Sequence, residues 1–334
     1  MTIKDLSAQT GYSVGTISRV LNNQPNVSEK ARKAILEAAD KSGFQLNANA
    51  KQLKQSHSNS VLVVVRGTSN EMFSGLVETI QACIADTSYQ LIVDYIDENS
   101  NEVLRAQQLC REKKPLGILF LGGNREHFRD GFGSISVPCV LVTSDATGLC
   151  FPNLSSVSTD DTLAARTAID HLVQMGHRKI VVIGGDRNDS GIAELRYQGC
   201  MQAFRDHGIP FDETLDYESV RFSFEQGYQA AKNLVAKKRD FTAVFAMSDV
   251  MAIGAIRGLR DVGLKVPADV SVMGFDGLAM GGYTVPTLST IRQSVDAMAR
   301  QSVELLLENI KEKGTPRYET VPFAVELRES TREK

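Results

Sequence analysis

The sequence predicts a small all-α helix-turn-helix head followed by an α/β body of two doubly wound parallel-sheet lobes. Three observations predict it. Residues 3–21 form two short amphipathic segments broken at Gly11. From Val61 onward, runs rich in Val and Ile alternate with stretches of helical character, the pattern of strands covered on both faces. The alternation also comes twice, with a break near Ser155–Asp160, which implies two similar lobes and a cleft between them.

The head is built in order. Thr2 and Asp5 have the spacing of a capping box with Asp in place of Glu. Ile3 and Leu6 then share a helical face. Gly11 ends that helix, because glycine tolerates the left-handed backbone a tight turn needs. Ser13 is a good N-cap for the next helix. Ile17, Val20 and Leu21 face inward there, leaving Val14, Gly15, Thr16, Ser18 and Arg19 outside. Ser28 as N-cap and Glu29 in the first turn signal a third helix, with Ala31, Ile35 and Ala38 inward and a stop at Gly43. Residues 47–54 are polar and rich in Ala, about two turns of helix and too short to be stable alone in water. Residues 55–60 are linker-like.

Charge divides along the same line. Residues 1–60 carry eight Lys/Arg and four Asp/Glu, a balance of +4; the whole chain stands at -3, so the remainder is -7. A basic head suits phosphate, and an acidic body repels it. A segment that is marginal alone beside such a head is suited to folding on a duplex.

In the body the first series of strands is expected at Val61–Val65, Leu91–Tyr95, Gly117–Leu121 and Pro138–Val142. The second is expected at Ile180–Ile183, Ser219–Phe222 (weak), Ala243–Ala246 and Val270–Met273. Helices are expected at Gly75–Asp86, Leu163–Met175, Ala193–His207 and Val250–Val262. Ligands of such sheets sit at the carboxyl ends of the strands.

Several function classes find no support. There is no Gly-x-Gly-x-x-Gly after a strand, no phosphate-binding Gly-x-x-x-x-Gly-Lys-Ser/Thr loop and no nucleophile elbow between a strand and a helix. The five histidines include no His-x-x-x-His pair. An enzyme is not expected, nor is a cofactor or a metal. The five cysteines show no Cys-x-x-Cys and read as thiols of a reducing compartment. No apolar run approaches the ~18 residues needed to span a bilayer, and the polar start gives no signal core. A cytoplasmic protein with no membrane partner is the expectation.

The stretches Thr16-Ile-Ser-Arg-Val-Leu-Asn-Asn23, Pro25-Asn-Val-Ser28 and Gly43-Phe-Gln-Leu-Asn-Ala-Asn-Ala-Lys-Gln-Leu53 resemble the head and hinge of the lactose-repressor (LacI) family of bacterial transcription regulators. In the body the resemblance is to that family's periplasmic-binding-protein-like sensor. Gly176-His-Arg-Lys-Ile-Val-Val-Ile-Gly-Gly185, Glu194–Gly199, Ala246–Gly254, Val272–Gly277 and Pro286–Gln293 carry it.

The resemblance implies residues 1–46 as head, 47–60 as hinge helix and linker, and 61–334 as body. The N-lobe would take about 61–157 and 293–318, the C-lobe about 158–292 and 319–330. It implies a homodimer on pseudo-palindromic double-stranded operator DNA. The implied DNA-binding set is Thr2, Ser13, Val14, Gly15, Thr16, Ser18, Arg19, Asn22, Asn47, Ala50, Leu53 and Lys54. Arg19 suits bidentate bonds to guanine; Thr16 and Ser18 suit phosphates or a thymine methyl. Leu53 has two readings, a wedge between base pairs or packing on the body. Gly15 and Leu46 depart from the family pattern, offering respectively no base-reading side chain and no proline before the hinge.

For the body the resemblance implies a small-molecule effector that shifts lobe closure and the spacing of two heads. A sugar or sugar phosphate is the first expectation, a nucleoside or purine the second. The implied effector residues are Phe73, Asp160, Arg196, Phe222, Asp249 and Asp276. Asp249 and Asp276 follow apolar strands, where carboxylates can hold vicinal hydroxyls. Arg196 offers a fork of donors, and the two phenylalanines offer faces for a ring. Alternatives stand beside these roles: caps for Asp160 and Asp249, core packing for the phenylalanines. The role of Arg66, at the first lobe's cleft edge, stays open. A solute-binding receptor for transport is the competing function.

Overall fold

The computed structural model describes residues 3–21, 27–42, 58–67, 71–186, 191–237, 240–312 and 314–334. The chain divides into two compact units, Met1–Ser58 and Asn59–Lys334.

The first unit holds α1 (Ile3–Thr10), α2 (Val14–Leu21) and α3 (Glu29–Lys41). Leu6, Ile17, Val20, Ile35 and Ala39 form its core, with Tyr12, Leu21, Val27 and Ala38 packed against them. The inward position on the last turn of α3 is therefore Ala39 rather than Ala38. Counting in fours from Ile35 selects Ala39, and Ala38 lies at the edge of the buried stripe. Gly11 takes φ +72° and its amide donates to the Ser7 carbonyl at 3.0 Å. The Ser28 hydroxyl caps α3 by accepting from the Ala31 amide at 3.3 Å.

The second unit contains two six-stranded sheets. The first has β1 (Ser60–Arg66), β2 (Gln90–Ile96), β3 (Gly117–Leu121), β4 (Cys139–Val142), β5 (Leu154–Thr159) and β11 (Tyr318–Val321), in the order β11-β5-β4-β3-β1-β2. The second has β6 (Ile180–Gly184), β7 (Tyr217–Ser219), β8 (Ala243–Ala246), β9 (Ser271–Asp276), β10 (Ser289–Gln293) and β12 (Phe323–Glu326), in the order β12-β10-β9-β8-β6-β7. All pairings are parallel except that of β10 with β12. An antiparallel edge strand on a parallel sheet is common in doubly wound folds.

Helices cover both sheets. They are α4 (Glu71–Ala85), α5 (Glu102–Lys113), α6 (Arg125–Gly131), α7 (Asp161–Gln174), α8 (Ile192–Asp206), α9 (Glu213–Asp216), α10 (Phe224–Ala236), α11 (Asp249–Asp261) and α12 (Val295–Lys311). In the N-lobe, Val61, Val63 and Val65 join the core layer under α4 and α12, while Leu62 and Val64 join the opposite layer under α5 and α6. Alternate residues of one strand thus feed two apolar layers, which is why β1 reads as an unbroken apolar run. The chain passes between sheets three times: after β5, after β10 and between β11 and β12.

The break expected near Ser155–Asp160 falls at the end of that range: Ser155–Thr159 belong to β5 of the first sheet, and the passage to the second follows at Asp160. One expectation is corrected. The weak strand expected at Ser219–Phe222 lies earlier, at Tyr217–Ser219. Val220–Phe222 instead leave the sheet and line the cleft.

Candidate nucleic-acid interface and ligand cleft

The helix pair of the head is set by its turn. The Ser13 hydroxyl accepts from the Thr16 amide at 3.2 Å and lies 2.9 Å from the Thr16 hydroxyl. Ser13 stands in a Gly-x-Ser-x-Gly string, Gly11–Gly15, but that string joins two helices, so its hydroxyl is a cap and not a nucleophile. With Ile17 and Val20 buried, α2 leaves Val14, Gly15 and Arg19 exposed and Thr16 and Ser18 half-buried. A Cβ on Gly15 would meet only the Ser13 hydroxyl, at 3.8 Å. Packing therefore does not require glycine there. Its consequence is chemical: one position of the exposed face offers no side chain to a base edge. Thr2, Asn22, Asn47, Ala50, Leu53 and Lys54, with Leu46, lie outside the described residues.

In the body a cleft of about 460 Å³ opens between the lobes. Phe73 on α4 and Phe222 after β7 both line it, with Arg66, Met72, Asp186 and Gln226. Close approach shapes its walls. A Cβ on Gly185 would stand 2.6 Å from the Phe222 ring, and one on Gly122, at φ +76°, 3.1 Å from the Phe73 ring. Arg66 stands 3.5 Å from the fully buried carboxylate of Glu102, which also accepts from the Asn124 amide at 2.7 Å and meets His127 Nδ1 at 2.9 Å. Glu102 thus ties the end of β1 to the starts of α5 and α6.

Three expected residues lie behind the cleft wall rather than on it. Arg196 is 2% exposed, donates from Nε to Asp161 at 2.7 Å and from Nη1 to the Met247 carbonyl, and lies 3.6 Å over the Phe275 ring. Its Nη1 is 3.8 Å from Asp276. Asp276, 1% exposed, ends β9 with φ +121°. Its Oδ1 accepts from Gln293 Nε2 at 2.9 Å, whereas Oδ2 is buried with no hydrogen-bond partner. Gln293 accepts from the Thr159 hydroxyl at 2.8 Å and touches the cleft-lining Met72. One amide therefore joins the ends of β5 and β10, where the chain changes lobes, to the Asp276 carboxylate.

Asp249 is satisfied internally. It accepts from the Thr290 hydroxyl and from the Leu278 amide, both at 2.6 Å, while Ser248 caps α11. Asp160 is exposed and caps α7 through the Leu163 amide at 2.9 Å. Burial dominates the charge chemistry. It raises Asp276 to about 6 against the pull of Arg196, and raises Asp249 to about 8 with help from the Asp276 charge. Asp161 is also raised by burial, with Arg196 opposing.

Asp161, Gln293 and Glu102 were not singled out from sequence. Gln293 closes the motif Pro286–Gln293, and Asp161 follows Asp160 at a helix start, but nothing local distinguishes their roles. Among the described residues no group of His, Cys, Asp and Glu is placed to hold a metal, and no helix is long and apolar enough to cross a membrane.

The comparisons agree over both units. Residues 2–47 match the model of bacterial regulatory proteins of the lacI family, and residues 169–331 match a periplasmic binding protein-like domain. The HTH-type transcriptional regulator MalR of Clostridium butyricum is 33% identical over 317 residues, 94% of each chain. The HTH-type transcriptional repressor PurR of Haemophilus influenzae is 28% identical, covering 98% of this chain and 96% of its own length. Among solved structures, a transcriptional regulator CelR–cellobiose complex is 26% identical over 99% of both chains, with a TM-score of 0.71.

Proposed function

The chain belongs to the lacI family of bacterial regulatory proteins, and we propose that it is a transcriptional repressor whose operator affinity is set by a small molecule bound between the lobes of its body. The family consists of DNA-binding transcription regulators, not enzymes, so a transport receptor, which has no use for the head, is not a competing account.

One observation carries the ligand half of the reading. Asp276 presents a buried carboxylate oxygen with no partner, joined through Gln293 to both strand ends where the chain changes lobes. A buried acceptor without a donor costs about 1–3 kcal/mol, which a ligand hydroxyl or N–H would recover when the lobes part and reclose. Phe73 and Phe222 supply faces for a ring, and Arg196 fixes the carboxylate's surroundings. Asp249 and Asp160 support structure around the site. A sugar or sugar phosphate fits first, in keeping with the cellobiose held by the CelR relative; a nucleoside or purine fits second.

For the head, Arg19 on the exposed face of α2 reads bases in the major groove, with Ser13, Val14, Thr16 and Ser18 placing the helix on the backbone. Thr2, Asn22, Asn47, Ala50, Leu53 and Lys54 complete the contact set. Pseudo-palindromic operators call for a homodimer. A surface rich in apolar side chains supports self-association: Tyr283 and Val285 are 88% and 86% exposed beside Met280. The cytoplasm, where operators are, is the working compartment.

The test has two arms. Gel shift of genomic fragments at low salt should recover an operator; binding to no fragment would overturn the regulator reading. A thermal-shift screen of sugars, sugar phosphates and nucleosides should find a stabilising ligand. Calorimetry should then show its affinity lost in Asp276→Asn with operator binding kept; equal affinity in both proteins would remove Asp276 from the site.

A further inference from the structure

At the mouth of the cleft, opposite charges face each other across the lobes. Asp97 and Glu98 follow β2 of the first sheet, and Arg221 follows β7 of the second. The Arg221 Nε donates to Glu98, and its Nη2 lies 3.3 Å from Asp97 Oδ2. Local bonds hold both sides. Asp97 Oδ1 accepts from the Asn99 amide at 2.9 Å, and the Arg221 carbonyl accepts from the Ser223 amide at 2.8 Å. Asp97 is lowered below the ordinary carboxylate range, first by the Asn99 amide and also by the Arg221 charge. Glu98 and Arg221 both line the cleft. Arg66 from the N-lobe and Asp186 from the C-lobe line the same opening.

We propose that Arg221, with Asp97 and Glu98, is an interlobe latch that sets how far the cleft is closed before any ligand binds, and so governs access to the site assigned above. The inference rests on that site being the ligand site, but its mechanics involve neither ligand nor DNA. Arg221 is a positioning residue: it acts on the separation of the lobes. The three charges are partly open to solvent, so the bias is small. An exposed ion pair shifts an equilibrium by up to about fivefold. A latch of that size holds the lobes together yet yields to a ligand.

The experiment uses the full chain without ligand. Spin labels carried by genetically encoded residues at Ser100 and Glu225, both exposed and one on each lip, report the distance across the mouth by electron–electron resonance. At low salt the short-distance population should dominate. Arg221→Gln should lower the ratio of short to long distances by up to about fivefold. Raising salt from about 0.05 to 0.5 M should do the same to the parent protein and little to the variant. Arg221→Lys should recover part of the ratio. On an Asp97→Asn background, the swap of Glu98→Arg with Arg221→Glu should recover it again, which a merely structural role would not allow. Unchanged distances in Arg221→Gln and across the salt range would overturn the latch. That result would leave the regulator reading standing, because operator binding and the ligand screen are read separately.

Discussion

Replacing Arg196 by Met tests the buried charge network directly. The guanidinium is 2% exposed, its partner Asp161 3% and Asp276 1%. Met fills similar space over the Phe275 ring but leaves two buried carboxylates without their cation. Breaking such a pair costs about 3–5 kcal/mol. In a body of 276 residues (59–334), at about 2 °C per kcal/mol, the midpoint should fall by roughly 6–10 °C. The loss should depend on pH. Asp161 and Asp276 have folded pKa values raised above the unfolded 3.8, Asp276 to about 6, and in both cases Arg196 opposes the rise. For a raised carboxylate, the stability from protonation is fully present below the unfolded value and is lost as pH rises through the folded value. Removing Arg196 moves the folded values up, so the variant keeps its protons over a wider range. Its deficit against the parent should be smallest near about pH 5 and largest near about pH 8. Differential scanning calorimetry at both values decides it. An equal deficit at the two, or one below about 1 kcal/mol, would refute the pairing as the source of stability.

Three further outcomes follow from other parts of the molecule. Gly254→Ala should destabilise the body by about 3 kcal/mol, because its Cβ would stand 2.0 Å from the Phe224 carbonyl oxygen and 2.8 Å from the Tyr228 amide; an unchanged urea midpoint would contradict this. Arg19→Ala should lose about 1–3 kcal/mol of operator discrimination in competition gel shifts while keeping weak, salt-sensitive binding; unchanged selectivity would remove Arg19 from base reading. Burial lowers His177 below its usual 6.5, so the stability it lends is present above about 6.5 and lost as pH falls. Because His177 meets Thr242, Ser271 and the Arg332 carbonyl, hydrogen exchange at the Arg332 and Lys334 amides should speed up between about pH 7.5 and about pH 5 beyond its intrinsic change; equal protection at the two would show that His177 does not hold the tail.

The parts legible in the sequence are those where burial is apolar. β1, β3 and β8 read as continuous runs because both of their faces are covered. β5 and β10, also interior strands, are not expected from sequence, since Leu154–Thr159 and Ser289–Gln293 are mostly polar. Their hydroxyls are satisfied inside. Ser156 accepts from the Ala146 amide at 3.0 Å, Ser155 from the Arg317 amide at 3.2 Å, and Thr290 donates to Asp249. A buried hydroxyl with a partner costs little, yet hydropathy scores it as surface. The head was legible for the opposite reason: turn and cap lie within a few residues of each other. The charge partners Arg196–Asp161 and Arg221–Glu98 are separated by 35 and 123 positions, and no local pattern carries such pairings.

The energetics of the cleft explain why it can switch. Val250 and Leu278, from the C-lobe, share an apolar cluster with Met72, Phe73 and Leu76 of the N-lobe, and the Arg221 latch adds a small electrostatic bias toward closure. Against them stands the Asp276 Oδ2, which closure keeps from water and leaves without a donor, at about 1–3 kcal/mol. The backbone strain of Asp276 at φ +121° is a separate cost, local to the end of β9 and present whether the lobes are together or apart. Of these two costs only the unpaired oxygen distinguishes the two states, since opening hydrates it. A ligand that donates to Oδ2 in the closed form removes that term, and its differential affinity for the closed state is then the free energy that moves the lobes. A ligand filling the aromatic part of the cleft without reaching Asp276 would gain only the bridging contact with Phe73 and Phe222 on opposite lobes, and would leave the Oδ2 cost in place.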